Sequence, residues 1–240
     1  MVLKILDLLL PPLCIACREQ TAEPGFCPAC WNSMTFLDST GCACCGTPFA
    51  IALEGDTLCA VCLADPPAFD RARAILSYDE KSRGPILALK HADRLDLVPG
   101  FARWLERAGR ILLEDTDLII PIPLHRSRLW KRRYNQAAEL ARALARRTGK
   151  PADPLVLVRS RATPSQGEMV SAKARHRNVQ GAFLVPHPQK VAGRNILLVD
   201  DVLTTGATAD SAAKALKKAG AAKVQVLALA RVVRAAELLI

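Results

Sequence analysis

The stretch ILLVDDVLTTGAT, residues 196 to 208, carries the residue types best suited to chemistry. Four apolar residues form a buried strand, the carboxylates Asp200 and Asp201 follow, and Thr204, Thr205, Gly206, Ala207 and Thr208 make a turn into a helix. Parallel sheets bind ligands beyond the carboxyl ends of their strands. The first N–H groups of a helix have no intrahelical partner and carry the positive end of its dipole, so this turn can wrap a phosphate. Gly206 permits close approach, and the threonine hydroxyls add donors. Asp200 and Asp201 are then placed to accept hydrogen bonds from vicinal ribose hydroxyls while a 5′-phosphate occupies the turn. A lone TTG or a lone DD would read more simply as a strand-to-helix turn with an acidic cap. The two in this order are far more specific.

A second constellation is metal-binding. Cys14/Cys17, Cys27/Cys30, Cys42/Cys45 and Cys59/Cys62 are four pairs with two-residue spacing, and with Cys44 they make up all nine cysteines. Two thiolates at that spacing grip one tetrahedral ion from a single turn, and two pairs close a four-thiolate zinc site. Buried reduced cysteines are the bland alternative, and eight in regular pairs argue against it. Consecutive pairing (14, 17, 27, 30 and 42, 45, 59, 62) needs only short loops, although an interleaved arrangement also satisfies the spacing. A closed site has no coordination place for water, so two zinc ions here are expected to be structural, with Cys44 a bystander.

These sites need two unequal supports. A chain of 240 residues fits one full domain with an appendage. Residues 1 to 65 hold 2 basic and 7 acidic side chains, whereas residues 66 to 240 hold 31 and 16. The larger part is therefore prepared for anions such as phosphate esters, pyrophosphate or nucleic acid, unless its charge is only a solvated face. The opening MVLKILDLLLPPL is too short in its apolar run for a bilayer span, and it does not look like a secretory signal. It reads as a short amphipathic helix, and paired cysteines without a signal favour zinc and a cytoplasmic protein over disulfides.

Hydrophobic spacing supplies the elements. LADPPAFD (63 to 70) reads as a connector, residues 1 to 65 as the zinc module and 66 to 240 as the second domain. Strands are expected at 71 to 78, 117 to 123, 155 to 158, 182 to 185, 195 to 200 and 223 to 230. Helices are expected at 83 to 92, 97 to 113, 134 to 148 and 206 to 219. Alternating strands and helices imply an α/β fold with a mostly parallel sheet. Residues 159 to 180 are polar and without period, so they read as a long loop able to close over a ligand.

The segment 196 to 208 resembles the ribose-phosphate signature of type I phosphoribosyltransferases: apolar run, two acidic residues, then T-T-G-x-T. PIPLHRSRLWKRRYNQAAELA (121 to 141), RATPSQ (161 to 166) and RHRNVQGAF (175 to 183) extend the resemblance to the competence protein F (ComF) family over nearly the whole chain. The resemblance implies a type I phosphoribosyltransferase-like parallel sheet with a small hood behind a double zinc ribbon. It also implies 5-phosphoribosyl 1-pyrophosphate (PRPP) as ligand, Mg²⁺ on its pyrophosphate, and displacement at the anomeric carbon. His125 and Arg126 follow a strand directly and should stand where a pyrophosphate lies, and Arg128, Arg132, Arg161 and Arg175 supply fork-shaped donors for anionic oxygens. Family members often have Gly in R-G-F/Y-N-Q where this chain has Arg133.

Two rival readings stand beside phosphoribosyl transfer. One is an accessory protein for DNA uptake that binds single-stranded DNA, with competence or DNA-processing proteins as partners; the sequence shows no aromatic-rich platform for stacking bases. The other is a PRPP sensor without turnover.

Overall fold

The computed structural model describes residues 11–22, 25–37, 41–51, 55–91, 94–163 and 177–233. The expected helix over the opening residues, and Arg175 with most of the long loop, lie outside them. Two short helices, α1 (Pro28–Ser33) and α2 (Ala60–Ala64), belong to the Cys-rich part. The larger part follows as β1 (Arg71–Ser77), α3 (Glu80–His91), α4 (Val98–Ala108), α5 (Arg110–Glu114), β2 (Leu118–Pro121), α6 (Arg126–Arg132) and α7 (Gln136–Thr148). It ends with β3 (Val158–Arg159), β4 (Phe183–Leu184), β5 (Asn195–Leu203), α8 (Ala207–Lys218) and β6 (Lys223–Arg231). Among the described residues, no helix is long and apolar enough to cross a membrane.

The central sheet has four strands in the order β1-β6-β5-β2, all parallel. A bridge from Ile119 to Ala152 extends it by a single residue beyond β2. β5 and β6 carry near-continuous apolar runs because both faces of a parallel sheet are covered. Alternate residues sort by face. Leu197 and Val199 of β5 pack with Ile86 and Leu89 of α3, Phe101 of α4 and Leu140 of α7. Ile196 and Leu198 pack with Ala209, Ala212 and Leu216 of α8 and with Phe183 of β4.

The runs 155 to 158 and 182 to 185 do not join this sheet. Only Val158–Arg159 and Phe183–Leu184 pair, antiparallel, as a separate two-stranded ribbon. Leu155 is exposed, held in a turn by the amide it donates to Asp153 Oδ1, so the apolar run breaks before the strand begins. The run expected at 195 to 200 continues to Leu203, taking both carboxylates into the strand. The single amphipathic run 97 to 113 divides into α4 and α5 at Gly109, where a Cβ would come 2.5 Å from Leu227 Cδ2.

The Cys-rich part is fused to the larger one by backbone and charge. Leu37 and Ser77 exchange amide bonds with Ile75 and Thr35, so residues 35–37 run beside the free edge of β1. Ala72 N donates to Cys44 O at 2.6 Å. Cys42, Cys45, Cys59 and Cys62 are all buried within the core cluster that includes Phe69, Ala72 and Ala228. Arg231, at the end of β6, is buried there, with Nη1 donating to Cys45 O at 2.8 Å and Nη2 lying 3.5 Å from Cys45 Sγ. A guanidinium in that place offsets the negative charge of a four-thiolate metal site.

This asymmetry is testable. Metal analysis should find about two zinc ions per chain. Cys44→Ser should leave that number and the thermal midpoint unchanged. Cys17→Ser, at an exposed ligand, and Cys42→Ser, at a core ligand, should each release one ion, with the larger drop in midpoint for Cys42→Ser because its metal and the domain core are coupled. Equal drops for the two variants would contradict the fusion.

Candidate functional site

Two sets of thiolates converge as consecutive pairs: Cys14, Cys17, Cys27 and Cys30 in one group, and Cys42, Cys45, Cys59 and Cys62 in the other. Within each group the sulfurs lie within 4.8 Å of one another, a spacing that fits four ligands around one tetrahedral zinc ion. Cys27 N donates to Cys14 Sγ and Cys59 N to Cys42 Sγ, the amide support expected for thiolates. Cys44 stands outside both groups, its Sγ 3.8 Å from Phe69 O.

The second site lies at the carboxyl end of β5. Because successive side chains alternate, Asp200 falls on the face of α8 and β4, and Asp201 on the face of α3. Asp200 Oδ1 accepts the Asp201 amide at 2.8 Å. Burial, with the Asp201 carboxylate adding to it, pushes the Asp200 carboxyl up to about 7, although the Asp201 amide, Lys90 and Arg159 all pull it down. The residue as a whole is half-buried, at the sheet end. Asp201 Oδ1 is 3.1 Å from Lys90 Nζ, and both side chains are more than four-fifths buried.

Beyond Leu203 the chain turns through Thr204, Thr205 and Gly206 into α8. Gly206 has φ of +77°, a left-handed conformation that disfavours any β-branched residue. Thr205 Oγ1 accepts the Ala207 amide, while Thr204, Thr205 and Thr208 are half-buried at the turn and Ala207 is buried. The Phe69 ring lies 3.7 Å from where a Gly206 Cβ would stand, so the connector from the Cys-rich part forms the floor of this loop. Asp210, buried on α8, accepts the Ala68 amide at 2.8 Å and fastens the same connector.

The segment after β2 lies at the same sheet end, because β2 pairs with β5 up to Pro121 and Val199. His125 caps α6: its Nδ1 accepts from Ser127 N at 3.3 Å and meets Ser127 Oγ at 2.8 Å. Arg126 is exposed and Arg132 half-buried. Arg128 Nη2 donates to Thr163 O at 2.6 Å, and Arg161 Nη2 donates to Asn178 O and Gln180 O. Arg128 therefore ties the first described end of the long loop to α6, and Arg161 ties the two described ends to each other. Arg133 has φ of +66°, a left-handed conformation that glycine adopts more readily than other residues.

Two cations of this site were not singled out in the sequence. Lys90 comes from α3, far from the signature in sequence. Arg159, on β3, is buried, with its guanidinium 5.4 Å from the Phe183 ring centre and one N–H bonded to Thr163 Oγ1. Among the described residues its Nε has no hydrogen-bond partner. Burial pushes Arg159 down to about 10, with Arg128 and Arg161 adding to this and Asp200 opposing it. No local motif marks either residue, since each acts through a fold-dependent approach to the carboxylates.

The fold also assembles an aromatic cluster that is scattered in the sequence. Trp31 and Phe36 of the Cys-rich part have ring centres 4.2 Å apart, and Trp104 of α4 lies 5.2 Å from Trp31 and 4.6 Å from Phe26. Trp31 and Trp104 line a groove of about 520 Å³ that also carries Arg71, Arg73, Arg107 and Arg110.

Two family models match this chain: a double zinc ribbon domain over residues 5–64 and a phosphoribosyl transferase domain over residues 135–237. A Shigella flexneri protein named DNA utilization protein YhgH is 36% identical over 231 residues, covering 93% of this chain and 99% of its own. Competence protein F of Haemophilus influenzae is 32% identical over 226 residues, covering 91% and 96%. Competence protein ComFC of Bacillus subtilis is 24% identical over 203 residues, covering 82% and 79%.

The raised Asp200 carboxyl has a measurable consequence. An acid bound more tightly to its proton in the folded than in the unfolded state lowers stability as pH rises from its unfolded value, near 4, to its folded value, about 7. Asp200→Asn keeps the acceptor for the Asp201 amide and removes the charge. Its thermal midpoint should exceed that of the wild type at pH 8 by roughly 5 °C and match it below pH 4. A difference that does not change with pH would refute this account.

Proposed function

Because the chain belongs to the ComF family, which joins a double zinc ribbon to a phosphoribosyltransferase-type domain, we propose that its sheet-end site binds PRPP. The observation that supports this most strongly is the unbroken order of carboxylates, left-handed Gly206 and helix start at one sheet end. The 5′-phosphate would sit on the amides and hydroxyls of 204 to 208, where the start of α8 favours an anion. Asp200 and Asp201 would accept from the ribose hydroxyls. The segment at His125 and Arg126, with Arg132 and Arg175, would meet the pyrophosphate; Arg128 and Arg161 would help chiefly by holding the loop stems.

Mg²⁺ fits this reading as a companion of the pyrophosphate. Among the described residues, the clusters able to hold a metal are the two cysteine groups, and Asp200 and Asp201 lie on opposite faces of β5. Mg²⁺ keeps several waters and typically takes one or two carboxylates together with phosphate oxygens, which such a site can provide. When bound it would neutralise the leaving pyrophosphate. A protein that binds PRPP in this way can transfer the phosphoribosyl group to an acceptor or serve as a PRPP sensor.

A second reading has its own observation. The groove of Trp31 and Trp104 rimmed by Arg71, Arg107 and Arg110 combines aromatic faces with cations, the arrangement that holds single-stranded nucleic acid. It agrees with the names of the relatives, which refer to DNA utilization and competence. The two readings are compatible, since the groove and the loop at 204 to 208 have no lining residue in common.

Calorimetry with Mg²⁺ should show PRPP binding that ribose 5-phosphate displaces and free ribose does not. Asp201→Asn should weaken it roughly tenfold, the loss of a hydrogen bond to a charged acceptor, and Gly206→Val should abolish it. Wild-type affinity in folded Asp201→Asn and Gly206→Val would refute the reading.

For the groove, Trp31→Ala with Trp104→Ala should weaken binding of a single-stranded oligonucleotide by roughly tenfold or more, at about 1 to 3 kcal/mol per stacked base. PRPP affinity should be unaffected. Oligonucleotide binding that is unaffected by this double change would remove the groove from the account.

A further inference from the structure

Three carbonyls at the edge of the ribose-phosphate site are held by three consecutive side chains from another part of the chain. Tyr134 Oη donates to Leu89 O at 2.7 Å, Asn135 Nδ2 to Ile122 O at 3.0 Å, and Gln136 Nε2 to Lys90 O at 3.3 Å. Leu89 and Lys90 are in the last turn of α3, where carbonyls lack an intrahelical donor. The phenol and the amide supply those donors, and Gln136 does so from a site that is 1% exposed. Asn135 also accepts the Ala137 amide, capping α7, while its other end holds the segment that follows β2. One tripeptide thus fixes the end of α3, the loop after β2 and the start of α7.

The end of α3 delivers Lys90. Its ammonium has three donors, and among the described residues its partner is Asp201 Oδ1 alone. An ammonium more than four-fifths buried at a ligand-facing carboxylate has two donors left for whatever enters from the sheet end. The carboxylate it holds is the one the sugar hydroxyls require.

From this we infer that Lys90 is a ligand-contacting residue of the site and selects for the pyrophosphate, with Tyr134, Asn135 and Gln136 as its positioning residues. The inference rests on the proposed PRPP reading. In the free protein Lys90 holds Asp201. When the ligand enters, Asp201 turns to the ribose hydroxyls and Lys90 turns its donors to the pyrophosphate oxygens, so neither charge is left unpaired. A ligand that has the sugar and 5′-phosphate but no pyrophosphate uses Asp201 and gives Lys90 nothing in return.

The test compares PRPP with ribose 5-phosphate on the full-length zinc-loaded protein. Lys90→Met keeps the length and removes the charge. It should weaken PRPP at least tenfold while changing ribose 5-phosphate less than threefold, and Lys90→Arg should restore much of the PRPP affinity. Tyr134→Phe removes the phenol bond to Leu89 O and should show the same selective loss, smaller in size. A merely structural Lys90 would alter both ligands alike, and that result, or unchanged PRPP binding in Lys90→Met, overturns the inference while the PRPP reading stands. Should Lys90→Met fail to fold, equal losses for the two ligands in Lys90→Arg and Tyr134→Phe overturn it as well. If the wild type binds neither ligand, the PRPP reading fails and this inference fails with it.

Discussion

The double-sided burial of β5 determines where this molecule can meet a ligand. Ile196, Leu197, Leu198 and Val199 are fully enclosed between the layers that contain α3, α4 and α7 on one face and α8 and β4 on the other. Polar side chains can appear on this strand only where both layers end, and Asp200 is the first residue to reach that limit. From there the strand alternation sends neighbouring carboxylates to opposite faces, each toward a different set of cations. The site is therefore a ridge at the sheet end, approached from both sides, and its two halves are supported by different parts of the chain.

The zinc-ribbon part belongs to that support. Phe69 lies under Gly206, Ala68 is bonded to Asp210, and Arg231 reaches from β6 to Cys45. Leu203 and Arg231 are paired in register on adjacent strands, so the last residue before the loop stands beside the residue that contacts the second thiolate group. Loss of that group would expose a buried guanidinium to an empty cavity and loosen the floor of the loop together. An unpaired buried charge costs several kcal/mol, more than any one surface contact could restore. The metal site and the loop are thus parts of one cooperative unit, though they are far apart in sequence.

What was legible in the sequence follows from this geometry. The carboxylates, the Thr/Gly turn and the paired cysteines are contiguous or evenly spaced, so their chemistry could be read before the fold was known. Lys90, Arg159 and the Trp31–Trp104 groove were not legible, because each arises only when separate segments meet. The apolar runs at 155 to 158 and 182 to 185 misled for a related reason. Four apolar residues specify a buried strand equally well in a parallel sheet or in a small antiparallel ribbon, and the turn at Asp153 decides between them. Arg133 is a milder case: its left-handed backbone explains why glycine suits the position, and the cost to another residue there is only about 1 kcal/mol.

The charges at the ridge place a final constraint on any ligand. In the free protein Asp201 is compensated by Lys90, and Asp200 is kept partly protonated by burial while it feels Arg159. Arg159 is nearly enclosed, yet among the described residues its Nε has no partner. A pure anion would compete with the carboxylates for these cations and leave the acids unpaired. A neutral sugar would occupy the acids and strand the cations. Desolvated charges tolerate neither outcome, because each unpaired group keeps its full desolvation cost. On the proposed PRPP reading, a molecule that joins hydroxyl donors to a multiply charged anion would satisfy both sets at once, the acids through its hydroxyls and the cations through its anionic oxygens.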